Sequence, residues 1–278
     1  MGLRARKRAL VIAGSTAIAG FALVAPAYAA TSGHSATTAV TSAPVTASGA
    51  HLDPGGAIRH LTRPQPAQSG ARNASTTSTN WSGYAATGRT FTSVASSWTE
   101  PTGTCSSGSQ YSSFWVGLDG YNSNSVEQTG TDVDCSGPTA QYYAWYEMYP
   151  QPSHEINHTV RPGDKISASV TYAGSNRYTL TISDSTQGWT YTTTKSLSGA
   201  PRSSAEVITE APCCTASGGI LPLADFGTVN YTGSTANGST LSNFNPTSIT
   251  MVSASGRQED STSALSGGSF SNTWLSTG

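Results

Sequence analysis

The chain has 278 residues, a formal net charge of −1, a mean hydropathy of −0.27 and only 10% charged residues. That length allows one large domain or two small ones. No basic stripe suits it to nucleic acid, no internal repeat is evident, and no P-loop, dinucleotide fingerprint or recognised metal motif occurs, so neither a cofactor nor a metal is expected.

The chain opens with Arg4, Arg6, Lys7 and Arg8, continues with an apolar run from Ala9 to Val24, and reaches Ala27-Tyr28-Ala29. A basic start, an apolar stretch and an A-x-A site read as a secretory signal over residues 1–29. The apolar run is short of the ~20 residues that a membrane-spanning helix needs. The protein is therefore expected to be secreted and extracellular, with no membrane association once the signal is removed. Residues 30–75 are rich in Ser, Thr, Ala, Pro and Gly and lack apolar periodicity. Such a stretch buries too little surface to offset its chain entropy, and it reads as a propeptide or spacer ending between Gln68 and Thr79. Residues 76–278 then form the remaining domain. Half of the basic residues and only Asp53 of the acidic ones precede it, which leaves 7 basic against 14 acidic residues, a net −7. Self-repulsion in such a domain relaxes as pH falls and carboxylates protonate.

From Trp81 onward the pattern has period two. Ile166, Ala168, Val170 and Tyr172 share one face, and Tyr178, Leu180 and Ile182 share another, with Ser and Thr between them. Thr favours strands, and turns are marked at Pro162-Gly163-Asp164, Gly174-Ser175-Asn176 and Asn237-Gly238. No segment has convincing helical periodicity. Many short strands with regular turns predict an all-β sandwich or barrel. Cys105, Cys135, Cys213 and Cys214 allow three pairings. A bond between the adjacent Cys213 and Cys214 would be strained, Cys105–Cys135 is a plausible bridge, and no spacing fits zinc.

Past residue 76 the only histidines are His154 and His158, and neither lies near a G-x-S-x-G nucleophile motif. Acidic residues on strand-like segments carry more promise. Period two puts Tyr143, Trp145, Glu147 and Tyr149 on one face, and Glu206, Ile208 and Glu210 on another. A third segment runs from Val116 to Gly120 and on through Glu127-Gln128-Thr129-Gly130-Thr131-Asp132. For Asp119, before Gly120, a turn is the plainer reading.

Taken in order, Asn80-Trp81-Ser82-Gly83, Val116 to Gly120, Gln128 to Asp132, Ala144 to Pro150, Ala205 to Glu210 and Ala224 to Gly227 resemble the motifs of the glutamic peptidases, or eqolisins (peptidase family G1). The resemblance spans Asn80 to Tyr231. It implies an antiparallel β-sandwich of two large sheets, of concanavalin-like or jelly-roll type, with the active site on a concave sheet face. It implies an acid endopeptidase acting on polypeptides, with Gln128 and Glu206 as the catalytic pair and Glu210 as the alternative to Glu206. Trp81, Asp119, Asp132, Trp145 and Glu147 are carried over as supporting residues. Val207 and Met148 stand where the family usually has Trp, and period two points both away from the carboxylate face.

Such a site would activate water with ionised Glu206, while the Gln128 amide holds the oxyanion. Activity is expected to peak at acid pH, where Asp119, Asp132 and Glu147 are partly protonated. Arg59, His60, Arg63 and Arg72 are cationic groups with which the preceding segment could cover an acidic cleft. Two rival readings are a glycoside hydrolase using Glu147 with Glu206 and a non-catalytic carbohydrate-binding sandwich. No oligomerisation signal is found, and a monomer is the default.

Overall fold

The computed structural model describes His60, residues 74–213 and residues 219–278. The signal over 1–29, most of the 30–75 segment and Cys214 lie outside the described residues. Among the described residues no helix is long and apolar enough to cross a membrane.

Two eight-stranded sheets make up the fold. The first holds β1 (Ser75–Ser78), β2 (Trp81–Thr87), β4 (Ser109–Leu118), β5 (Val126–Ser136), β6 (Thr139–Tyr149), β7 (His154–Ile156), β11 (Ser204–Glu210) and β14 (Thr247–Met251). Its spatial order is β1-β14-β2-β11-β4-β5-β6-β7. The second holds β3 (Ser93–Thr99), β8 (Lys165–Gly174), β9 (Arg177–Asp184), β10 (Trp189–Ser196), β12 (Thr228–Ala236), β13 (Ser239–Thr240), β15 (Asp260–Thr262) and β16 (Phe270–Trp274). Here the order is β10-β9-β8-β3-β12-β16-β15, with β13 beside β12. Pairing is antiparallel throughout except between β1 and β14, which run parallel. Among the described residues one short 3₁₀ turn, Leu241–Phe244, is the helical exception.

The period-two segments form strands because each buries one apolar face. Ile166, Ala168 and Val170 of β8 and Tyr178, Leu180 and Ile182 of β9 are buried against Phe114, Val116, Val133, Tyr146, Met148 and Val207 of the first sheet. Full burial of such side chains contributes about 1.5–3 kcal/mol each. On the outer face of the second sheet, hydroxyls pair across the strands: Thr179 with Thr194, Thr181 with Thr192 (both 3.1 Å), and Ser183 with Thr190 (3.0 Å). These pairs are what the Ser/Thr-rich solvent positions amount to. The hairpin turns fall where expected, with left-handed backbone at Ser175 and Asn176 and at Asn237 and Gly238.

A disulfide joins Cys105 to Cys135 with a Cα–Cα separation of 5.4 Å. Cys213 is also disulfide-bonded. The disfavoured Cys213–Cys214 bond involves a residue outside the described ones.

The first sheet is unusual in burying both faces of its central strands. Opposite the inter-sheet core lies a second apolar cluster: Trp81, Ala85, Trp115, Tyr121, Val126, Trp145, Ile208 and Ile249. Val207 and Met148 belong to the inter-sheet core, as period two required. The alternate positions on β11 and β6 therefore look the other way, onto the face that carries the candidate site.

Candidate active site

Strand register places the chemistry-bearing residues in three parallel rows across β2, β11, β4, β5 and β6. The first row runs Ala85, Glu206, Gly117, Gln128, Glu147. The second runs Gly83, Ile208, Trp115, Gly130, Trp145. The third runs Trp81, Glu210, Ser113, Asp132, Tyr143. Two glycines make this packing possible. A Cβ at Gly130 would sit 2.2 Å from the Phe114 carbonyl oxygen and 2.6 Å from the Trp115 Cβ. A Cβ at Gly117 would come within 2.9 Å of the Trp115 ring and 3.2 Å of the Gln128 Cβ. Gly117 thus leaves a bare position between Glu206 and Gln128, which stand two strand spacings apart, roughly 9–10 Å between backbones.

Hydrogen bonds sort these groups. Gln128 Nε2 donates to Glu147 Oε2 at 2.6 Å, and Gln128 Oε1 has no hydrogen-bond partner among the described residues. Glu210 is held by donors: Trp115 Nε1 at 2.8 Å and Asn80 Nδ2 at 3.4 Å. Asp132 accepts from Trp145 Nε1 at 2.5 Å and from the Tyr143 hydroxyl at 2.9 Å, and the same hydroxyl lies 2.9 Å from Asp134. Glu206 differs. It is fully buried, and no hydrogen bond of good geometry from the described residues reaches either of its carboxyl oxygens. The Ser204 hydroxyl and the Tyr121 amide lie near enough to favour its anion without closing such a bond.

Burial pushes the Glu206 carboxyl well above the usual range, and the charges of Asp119 and Glu127 push it further. Burial likewise raises Asp132 to about 7, against the pull of its hydrogen bonds. Asp134 is raised well above the ordinary value by burial and then by the Asp132 charge. At acid pH these groups are neutral acids, able to donate as well as accept.

His60 enters this site from the segment that precedes the domain. Its ring stacks on Trp145 with centroids 3.6 Å apart and planes 7° from parallel. Its Nδ1 lies 3.5 Å from Glu210 Oε2, and its Nε2 lies 4.0 Å from Asp132 Oδ2. Its main-chain carbonyl accepts from Gln128 Nε2 at 3.3 Å. The ring is 1% exposed, and burial lowers its pKa to about 3. The expected electrostatic cover by cations takes another form at His60, which is held neutral by burial. His60 covers the cleft through a ring stack and a main-chain hydrogen bond. Arg59, Arg63 and Arg72 lie outside the described residues.

Of the residues singled out from sequence, Gln128, Glu206, Glu147, Trp145, Asp132, Glu210 and Trp81 come together on one face. Asp119 lies at its margin with a left-handed backbone, φ 70°, as a turn residue would. Its carboxylate accepts from the Arg202 and Ser203 amides, both at 2.7 Å, and so ties down the loop that leads into β11. Sequence reading missed Trp115, hidden in the apolar run Phe114-Trp115-Val116. It also missed Asn80 as a donor to Glu210, and Glu127, whose carboxyl burial raises to about 9. His154 and His158 are exposed and stack on Tyr146 and Trp189.

A β-sandwich with an amide and several carboxyl groups gathered on one buried sheet face has the architecture of a glutamic endopeptidase. The sequence pattern of the Peptidase A4 family matches residues 79–274, and the chain belongs to that family. Among solved structures it is similar to scytalido-glutamic peptidase in complex with a transition-state-analogue inhibitor, at 26% identity and a TM-score of 0.63, over 71% of this chain and 98% of that one. A second structure of that enzyme, with a peptide-based transition-state analogue, gives 25% identity and a TM-score of 0.62 over the same shares. Aspergilloglutamic peptidase from Aspergillus niger, at 24% identity and a TM-score of 0.50, covers 60% of this chain and 99% of its own and shares the fold. No curated protein matches the chain.

Proposed function

We propose that this glutamic endopeptidase is secreted, works in acid, and hydrolyses peptide bonds with Glu206 as the group that activates water and Gln128 as the oxyanion donor. The observation that carries the reading is the first row. Glu206 and Gln128 face one another across the bare Gly117, and Glu206 is the acid of that row to which no described residue makes a hydrogen bond of good geometry. A base must be free to take a proton from water. Glu210, held by Trp115 and Asn80, is better placed to shape the cleft. Glu147 holds Gln128 through a 2.6 Å bond and so aims its amide. Gln128 Oε1 can orient the water, while Nε2 supports the negative oxygen that forms on the carbonyl.

Glu206 must ionise to act. The charges of Asp119 and Glu127 oppose that ionisation, and at acid pH the neutral form of Glu127 removes its share. The ionised fraction of Glu206 itself falls with pH, so the acid limb of the activity profile should report the titration of this carboxyl. The signal over residues 1–29 supports export, residues 30–75 read as the propeptide, and a monomer remains the working state. The test is hydrolysis of an unfolded protein across pH by the parent, Gln128→Ala, Glu206→Gln and Glu210→Gln. Acid cleavage that Glu206→Gln abolishes supports the pair. Cleavage that survives in Glu206→Gln and is lost in Glu210→Gln moves the base to Glu210.

A further inference from the structure

We propose that the chain is its own first substrate and cuts itself between His60 and Leu61, with the His60 side chain seated in a pocket made by Trp145, Asp132 and Glu210. The inference rests on the assignment of Gln128 and Glu206 above and names where that pair first acts.

Three contacts of one residue carry it. The imidazole lies flat on the Trp145 ring at 3.6 Å. Its two nitrogens face two acids, Glu210 at 3.5 Å and Asp132 at 4.0 Å. Both acids are also held by other donors, Trp115 and Asn80 for Glu210, Trp145 and Tyr143 for Asp132, so their positions do not rest on His60 alone. The third contact is the main chain. Of the described carbonyls, that of His60 is the one hydrogen-bonded to Gln128 Nε2, the donor assigned to the oxyanion. That carbonyl belongs to the peptide bond joining His60 to Leu61. A side chain in a fitted pocket, with the next carbonyl against the oxyanion donor, is the pose of the residue on the acyl side of a bond about to be cut.

Reach is sufficient for the cut to occur within one molecule. From β1 at the sheet edge to β6, which carries Trp145, there are six strand steps, or about 29 Å at ~4.8 Å each. His60 precedes the start of β1 by 15 residues, and that length of extended chain can span up to about 50 Å.

The step balances with water alone. Water adds to the His60 carbonyl carbon and gives a proton to Glu206. The Gln128 amide holds the oxyanion. The carbon–nitrogen bond breaks, and Glu206 returns the proton to the Leu61 nitrogen. One product ends in the His60 carboxyl group, and the other begins with the Leu61 amine. The pocket also implies a preference of the mature enzyme for a flat, nitrogen-bearing ring on the acyl side, since stacking and two acids both reward one.

The test is to incubate the chain from residue 30 onward at acid pH and read new termini by mass spectrometry. In parallel, mature enzyme receives the synthetic peptide of residues 55–64, with His60 or with Asp in its place. The expected results are a new N-terminus at Leu61, and peptide cleavage after His60 that falls at least about tenfold on His60→Asp, the scale of losing a ring stack together with its polar contacts. Full-length His60→Asp should process slowly at this bond, while its mature domain, once freed, digests unfolded protein at the parental rate. An enzyme that digests unfolded protein but makes its first cut elsewhere, or cuts both peptides equally, overturns the inference and leaves the function standing. An enzyme that digests neither protein nor peptide at any pH overturns both.

Discussion

Glu206 and Glu210 lie four residues apart on the same face of β11, and what distinguishes them is who else bonds to them. Glu210 holds two nitrogen donors, whereas Glu206 holds none of good geometry. Replacing Glu206 with Gln should abolish turnover, and Glu210→Gln should mainly raise KM. Gln128→Ala should lower kcat by about 10²–10³, the usual scale for removing one oxyanion donor. Glu147 makes a finer test. Glu147→Ala frees the Gln128 amide and should lower kcat with little change in KM, whereas Glu147→Gln keeps an acceptor oxygen and should restore most of it. Steady-state kinetics on one peptide substrate at acid pH reads all five variants. Much of this was legible in the sequence, because period two alone puts Glu206 with Glu210, and Trp145 with Glu147. What sequence does not carry is pairing across strands, and so the donors that separate one acid from another stayed hidden. Trp115 and Asn80 are the clearest cases.

At the scale of the strand, the site depends on residues with no side chain. Gly130 lets β5 pass under Trp115, and its Cβ would meet backbone at 2.2 Å, which no rotamer change can relieve. Gly130→Ala should therefore destabilise the fold by about 1–3 kcal/mol, the range for overpacking a close-packed interior, and urea unfolding at acid pH measures it. The segment Gln128 to Asp132 contains this glycine, and the register supplies its physical reason. The Cys105–Cys135 bridge pins the far end of β5 across 30 residues. Chain-entropy arguments put its loss near 3–4 kcal/mol, which unfolding of the Cys105→Ala, Cys135→Ala double variant checks. The sandwich itself was readable from alternation and turns. The occupancy of the cleft by His60 was not, because the residue sits in a stretch whose composition predicts no packing at all.

At the scale of the molecule, buried carboxyls far outnumber buried bases among the described residues. Burial raises Glu100 to about 8 and Glu127 to about 9, both among the inter-sheet residues, and raises Asp132 and Glu259 to about 7. The sign follows directly. A carboxyl whose folded pKa lies above its unfolded value binds its proton more tightly when folded. Its stabilising contribution is complete below the unfolded value near 4.5 and is lost as pH rises through 7 to 9. The urea midpoint at pH 8 should lie below that at pH 4 by at least about 1 M, given typical denaturant slopes, and Glu127→Gln should narrow the gap. An equal midpoint at both values would contradict the burial of these groups as acids.

These neutral acids make the proton a ligand of the native state in the thermodynamic sense. Like any ligand that binds the folded chain more tightly than the unfolded one, it stabilises by mass action, and dilution removes it. An enzyme built this way carries its own boundary. Where the medium stays acid the fold is saturated with protons and persists. Where the pH rises through 7 to 9 these protons leave, and that share of the stability goes with them.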